Sequence, residues 1–357
     1  MLVNGKWTKK WDPYQASDQQ GTFIRQVSNF RNWVTKDGTA GPTGKAGFHI
    51  EAGRYHLYVA LICPWASRCL MARSLLGLKD LISLSVVEPT LTEQGWRFGD
   101  FPGATEDHIH NYNFLHELYS HSLNTVNGRA TVPVLWDKKN QCIVNNESAD
   151  ILIMMNEVFL DFANGKHSKD RNSKQGSRHD EQEKNSCPDT INLRPKALIK
   201  QINDLNLFLY ENINNEVYKA GFAQTQIAYE KSLFNLFGSL DKLEKRLSTS
   251  QYLLGSHFTE SDIRLFVTLI RFDLAYYGLF KCNLKRIEDY PHLYRYIQNI
   301  YDIKDVAETV NVAHIKQGYY SISDLNPNSI VPSGPDSDFY KKINQNNIEQ
   351  CNQGGKL

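Results

Sequence analysis

The chain has 357 residues, a length that suits two domains with a core each. Its 40 lysines and arginines balance 39 aspartates and glutamates, which leaves no electrostatic footprint for nucleic acid or an anionic membrane surface and favours a neutral partner or a small molecule. No run approaches the ~18 continuous apolar residues of a membrane span, and the start MLVNGKWTKKWD lacks the apolar core of a secretory signal, so a soluble, cytoplasmic protein is expected.

Residues 1–50 read as an N-terminal extension to a first domain at 51–163. Tyr55 to Leu61 (YHLYVAL) predicts a buried strand, and PWASRCLMARSLLG predicts a helix with Pro64 at its first position and Gly77 just past its end. Cys63 therefore caps the helix. A second strand is expected at LISLSVV (81–87), then a long polar excursion containing GWRFGD and a short helical stretch around HNYNFLHELYSH. TVPVLWD and QCIVN predict a strand pair around a charged turn, and NESADILIMMNEVF begins a helix with Glu147 and Asp150 in its first turn.

Residues 164–186 contain no aliphatic or aromatic side chain apart from what an alkyl stem offers, and are expected to be a disordered insert in a linker reaching 190. From 191 to 325 the pattern is helical only. Leu198, Ile202, Leu205 and Leu209 share one face, as do Leu233, Leu236, Leu240, Leu243 and Leu247. Thr259 and Asp262 form a capping-box start to an apolar helix at that domain's centre. Tyrosines gather late, at Tyr276, Tyr277, Tyr319 and Tyr320. The stretch 326–357, rich in proline, asparagine and serine, is expected to run extended over the surface.

The six cysteines make no tight framework, and in LICPWASRCL the partner position of a C-x-x-C pair holds Ala66. A cysteine at a helix N-terminus feels the dipole and nearby N–H groups, so a lowered pKa is expected for Cys63. A buried structural thiol is the alternative reading, and it describes Cys69, Cys142, Cys187 and Cys282. Val132-Pro133 enters a strand where proline belongs only at an edge or start, or in the cis form. Glu147 and Ser148 read as a helix cap or as a seat for a ligand carboxylate. His108, His110, His116 and His121 match no metal spacing and read as a solvated helical face. Neither a phosphate-cradling loop nor G-x-S-x-G occurs.

Taken together, CPWA (63–66), GWRF (95–98), TVPVLWD (131–137), NNES (145–148), VYKAGFA (217–223), DIRLFVTLIRFD (262–273) and HIKQGYY (314–320) resemble the xi-class glutathione transferases, the glutathionyl-hydroquinone reductases. The resemblance implies a fold of class α/β plus all-α: a thioredoxin-like N-terminal domain, an all-helical glutathione-transferase C-terminal domain, and a homodimer. It implies glutathione as co-substrate and no metal. Cys63 would be the nucleophile, Trp96 and Arg97 would cover and hold glutathione, the Val132 backbone would pair with its cysteinyl peptide, and Glu147 and Ser148 would hold the γ-glutamyl end. Tyr218, Tyr319 and Tyr320 would line the pocket for an aromatic substrate. The expected reaction is reductive removal of glutathione from glutathionyl-hydroquinones through a Cys63 mixed disulfide. An omega-like dehydroascorbate or protein-mixed-disulfide reductase is the alternative enzyme, and a glutathione-fold binding module the non-enzymatic one. The chain departs from the family pattern at Ser67, at Gly318, where space beside the tyrosines is expected, and at SISD, which lacks a second histidine. The final GKL is a weak relative of the S-K-L peroxisomal address, which leaves a peroxisomal location as the alternative to a cytoplasmic one.

Overall fold

A computed structural model describes residues 1–8, 17–165 and 191–352. The N-terminal segment supplies two small pairings, β1 (Leu2–Val3) with β2 (Lys6–Trp7) and β3 (Trp33–Thr35) parallel to β4 (Gly47–His49). The unbroken apolar character of YHLYV suits a strand covered on both faces, and β5 (Tyr55–Val59) is buried throughout. It crosses over through α1 (Pro64–Leu75) to the parallel strand β6 (Ile82–Val86), pairing Tyr55 with Ile82 and Val59 with Val86. After α2 (Leu115–Ser122), strands β7 (Val134–Asp137) and β8 (Cys142–Asn145) complete a sheet of order β6-β5-β7-β8, with β7 antiparallel to both neighbours. Helix α3 (Ser148–Met154) follows and continues through a π-helical turn at Met155–Phe159.

The second half is helical: α4 (Ile199–Leu209), α5 (Glu216–Gly221), α6 (Gln226–Leu247), α7 (Glu260–Leu269), α8 (Pro291–Tyr301) and α9 (Val312–Tyr320). Every residue of α7 is buried, as expected of a central helix. The predicted cap forms: Asp262 accepts from the Thr259 N–H at 2.8 Å and from the Leu253 N–H at 2.9 Å. The α/β plus all-helical arrangement thus stands as expected. His108 and His110 do not lie on a helical face; they pack over the sheet, where the His108 Nδ1 lies 3.0 Å from the Leu84 carbonyl and His110 stacks on Tyr112. From 166 onward the polar insert falls outside the described residues, as does the GKL terminus.

The tail differs from the extended run expected of it. Asp338–Asn352 form helix α10, which buries Phe339, Tyr340 and Ile343 and docks on α9. Asn347 seals the contact, its side chain accepting from the Val312 N–H at 3.0 Å and donating to the Val310 carbonyl at 2.8 Å. Three apolar anchors and these backbone bonds outweigh the polar composition that suggested a loose strand. Tyr340 is completely buried, and its hydroxyl has no partner among the described residues. Tyr340→Ala should lower stability by about 3–5 kcal/mol. Tyr340→Phe, which removes only the unmatched hydroxyl, should leave it unchanged or raised. Urea unfolding midpoints of the two variants check this.

Candidate active site

Cys63 leaves β5 in an extended conformation (φ −78°, ψ 117°), and Pro64 at the first helical position starts α1 without losing a needed N–H. The Cys63 carbonyl accepts the first helical bond from the Ser67 N–H at 2.9 Å. Its thiol faces the Val132 carbonyl at 3.8 Å, across from a Val132-Pro133 peptide that is cis. Of the two readings of that proline, the cis form is the one the chain adopts.

A cavity of about 250 Å³ opens here, lined by Cys63, Trp96, Val132, Glu147 and Ser148, so five of the residues expected from sequence converge on one space. Glu147 caps α3, its carboxylate accepting from the Ala149 N–H at 3.2 Å and from the Ser28 hydroxyl at 3.0 Å. The Asn145 side chain accepts from the Glu147 N–H at 2.7 Å and so fixes the turn. Trp65, next to Pro64, also lines the cavity.

Arg97 is not among the lining residues. It makes a two-pronged ion pair with Glu88, at 2.7 and 2.9 Å, and stays half exposed. Sequence reasoning missed the cavity's two arginines, Arg25 and Arg129. Arg129 lies just upstream of the TVPVLWD strand, a signal that was available. Arg25 comes from the N-terminal extension, which carries no periodic pattern, and its guanidinium stacks 4.1 Å from the Trp65 ring and 4.9 Å from the Tyr218 ring. The Arg25 Nε donates to the Asn215 side chain at 3.0 Å, which holds it there.

Of the four late tyrosines, Tyr276 and Tyr319 join Tyr218 in one group. The Tyr319 hydroxyl lies 2.7 Å from that of Tyr218 and 2.8 Å from that of Tyr276. Tyr320 does not take part: its hydroxyl sits against Gly278. Adjacent residues on a helix point about 100° apart, so only one of the pair can face inward. Gly318 leaves no space beside them. A Cβ there would stand 2.4 Å from the Ile62 Cδ1 and 2.6 Å from the Pro89 carbonyl oxygen, so the glycine permits close contact between α9 and the sheet.

The expected lowering of the Cys63 pKa is reversed. Burial of the sulfur pushes the thiol up, and the N–H groups of Ala66 and Trp65 with the charges of Arg271 and Arg25 only partly offset it. Tyr218 is raised as well, by burial and by its nearness to Cys63, against the pull of Arg25. The site therefore rests as a thiol beside neutral phenols, within reach of cationic side chains.

A sheet of this topology, with a thiol at the helix start and a helical domain against it, is the frame of a glutathione transferase. The family model described as the N-terminal domain of glutathione S-transferase matches residues 62–158, and that of the C-terminal domain matches 226–299. The chain is 45% identical over 340 residues to the glutathionyl-hydroquinone reductase YqjG of Escherichia coli (strain K12), spanning 95% of this chain and 96% of that protein. The solved glutathione-bound structure of YqjG aligns with a TM-score of 0.78 at 43% identity, covering 95% of this chain and 96% of the other. The glutathione S-transferase Xi of Phanerochaete chrysosporium aligns with a TM-score of 0.78 at 41% identity, covering 90% and 95%. The chain belongs to the glutathione transferase family, within its xi class of glutathionyl-hydroquinone reductases. Among the described residues no helix is long and apolar enough to cross a membrane.

The raised thiol predicts a pH profile. Iodoacetamide labelling of native protein should modify Cys63 with an inflection above the ~8.5 of a free cysteine. Cys69 and Cys282, fully buried and pushed further up by burial, should stay unlabelled until the protein unfolds. Mass mapping of each cysteine against pH reads both.

Proposed function

We propose that the protein removes glutathione reductively from glutathionyl-hydroquinones, with Cys63 as nucleophile and glutathione as reductant. The observation that carries the reading is the adjacency of a helix-capping thiol and a phenol group suited to a hydroxylated ring, joined by Arg25 stacked on both Trp65 and Tyr218. Glu147 would take the ammonium of the γ-glutamyl end, and the N-terminus of α3 with the Ser148 hydroxyl would take its carboxylate.

In the first half-reaction the Cys63 sulfur attacks the glutathionyl sulfur of the substrate. The bond from that sulfur to the ring carbon breaks, its electron pair stays on carbon, and a proton drawn through the phenols of Tyr218 and Tyr319 makes the new C–H bond. This leaves free hydroquinone and a Cys63–glutathione disulfide. A second glutathione thiolate then attacks the glutathione sulfur of that disulfide, giving oxidised glutathione and restoring Cys63. The ring carbon gains the two electrons that the two glutathiones lose, and the protons balance. The proton that Cys63 gives up as its thiolate forms is the one that reaches the ring carbon through the phenols. The homodimer is part of the same reading: Ile227 and Phe234, one heptad apart on α6, are exposed apolar side chains that an interface would cover.

Turnover of glutathionyl-menadione with glutathione separates this function from a binding module, which would show none, and from a reductase confined to dehydroascorbate or protein mixed disulfides. Cys63→Ser should abolish menadiol release. Intact mass of wild type exposed to substrate without added glutathione should show one glutathione adduct at Cys63. An adduct at another cysteine, or near wild-type turnover by the serine variant, would sink the mechanism.

Glutathione affinity gives an independent check. Glu147→Ala should weaken binding several-fold or more, since a charge-assisted bond contributes about 1.5–3 kcal/mol. Arg97→Ala should alter it little, because that side chain pairs outside the cavity. Titration calorimetry on both variants compares them directly.

A further inference from the structure

Arg271, two residues past the end of α7, is 2% exposed and makes no ion pair among the described residues. It spends its donors on neutral oxygens. Its Nε donates to the Ile62 carbonyl at 2.7 Å, and its Nη2 to the Leu61 carbonyl at 2.8 Å and to the Ser67 hydroxyl at 2.6 Å. Its Nη1 donates to the Val267 carbonyl at 2.6 Å, which ties the guanidinium to its own helix. Three of these four bonds cross to the other domain and close around Cys63, two on the residues entering it and one on the first turn of the helix that it caps.

A buried guanidinium held by neutral acceptors sits in a low-dielectric seam, where the field of a charge is poorly screened. The thiol of Cys63 and the phenols of Tyr276 and Tyr319 all lie within that field. We propose that Arg271 is a positioning residue of the reaction: from the helical domain it pins the backbone that presents Cys63 and sets a fixed positive charge beside the thiol and the inner phenols. This deepens the function proposed above and rests on Cys63 being its nucleophile. Such a role gives a meaning to Ser67, where the chain departs from the family pattern: a small neutral acceptor takes the guanidinium without adding a titratable group at the cap.

The other groups facing the thiol come from separate elements. Arg25 of the N-terminal segment and Arg129, upstream of β7, add positive charge; Cys69 lies on α1 itself and Tyr218 on α5. Any pH dependence assigned to Arg271 must survive with all four left intact, and single substitution at 271 meets that condition.

The test is the pH profile of Cys63 alkylation by iodoacetamide in full-length wild type, Arg271→Gln and Arg271→Lys, with the site of labelling confirmed by mass mapping. Arg271→Gln should react roughly tenfold more slowly at neutral pH, a shift of about one pKa unit, and should recover the wild-type rate well above the inflection. Loss of access alone would lower the rate at every pH. Arg271→Lys keeps the charge but not the planar fork, so its profile should stay within about threefold of wild type while kcat for glutathionyl-menadione falls. A wild-type profile in Arg271→Gln, or a shift in Arg271→Lys as large as in Arg271→Gln, overturns the proposal. Should the glutamine variant not fold, the lysine variant decides alone by the same threefold bound. Failure of wild type to turn over glutathionyl-menadione would instead remove the proposed function and leave the alkylation profiles to be judged separately.

Discussion

Helix α1 has almost no face left for water. Eleven of its residues, Pro64 and then Ala66 through Leu75, are buried, and only Trp65 reaches partial exposure. Such a helix cannot be stable on the sheet alone, because a sheet covers one side of it. The other side is closed by α3 of the first domain and α7 of the second, so α1 is fully covered only when the two domains are packed together. Everything placed at the start of α1 is therefore placed at the seam, and Cys63 belongs to both domains although one of them encodes it.

Burying α1 all round also buries Arg68 and Arg73, and both find acceptors in neighbouring elements. Arg73 donates to the Ile82 carbonyl at 2.6 Å, and Arg68 to the Asn214 side chain at 2.8 Å while stacking 4.4 Å from Trp65. Groups like these cost several kcal/mol when left unmatched, so the Arg68–Asn214 bond holds the domains in a single relation while the Arg73 bond fixes α1 on the sheet. The seam is correspondingly cationic. Burial lowers Arg68 to about 9, with the charge of Arg264 adding to the effect, and Arg129 to about 10, with the charge of Arg25 adding to it.

Where sequence was informative, the reason is local. Cys63, Val132, Glu147 and Ser148 all stand where a strand ends or a helix begins, and apolar periodicity with proline or a capping side chain marks such positions in the residues themselves. Trp96 and the order of the strands followed from motif order. Arg25 was illegible because its role depends on a segment without periodicity folding back over Trp65. The choice between Tyr319 and Tyr320 depends on which way α9 is rotated against α5, which neither residue encodes. In α10, three apolar anchors are diluted by asparagine and lysine, so composition hid a helix that packing makes plain. The thiol's raised pKa belongs to the same class of fact: the helix start was visible, but the burial that outweighs it depends on what packs around the sulfur in the folded chain.

Gly318 puts α9 within touching distance of the Ile62 side chain and the Pro89 main chain, with no room for even a methyl group between them. The helix bearing Tyr319 is thus spaced from the loop bearing Cys63 by a hard stop rather than by a side chain that can change rotamer. The spacing of phenol and sulfur thus rests on a contact that involves main chain and leaves little room to adjust. Position 318 works as the gauge of the site, and its setting is the absence of a side chain.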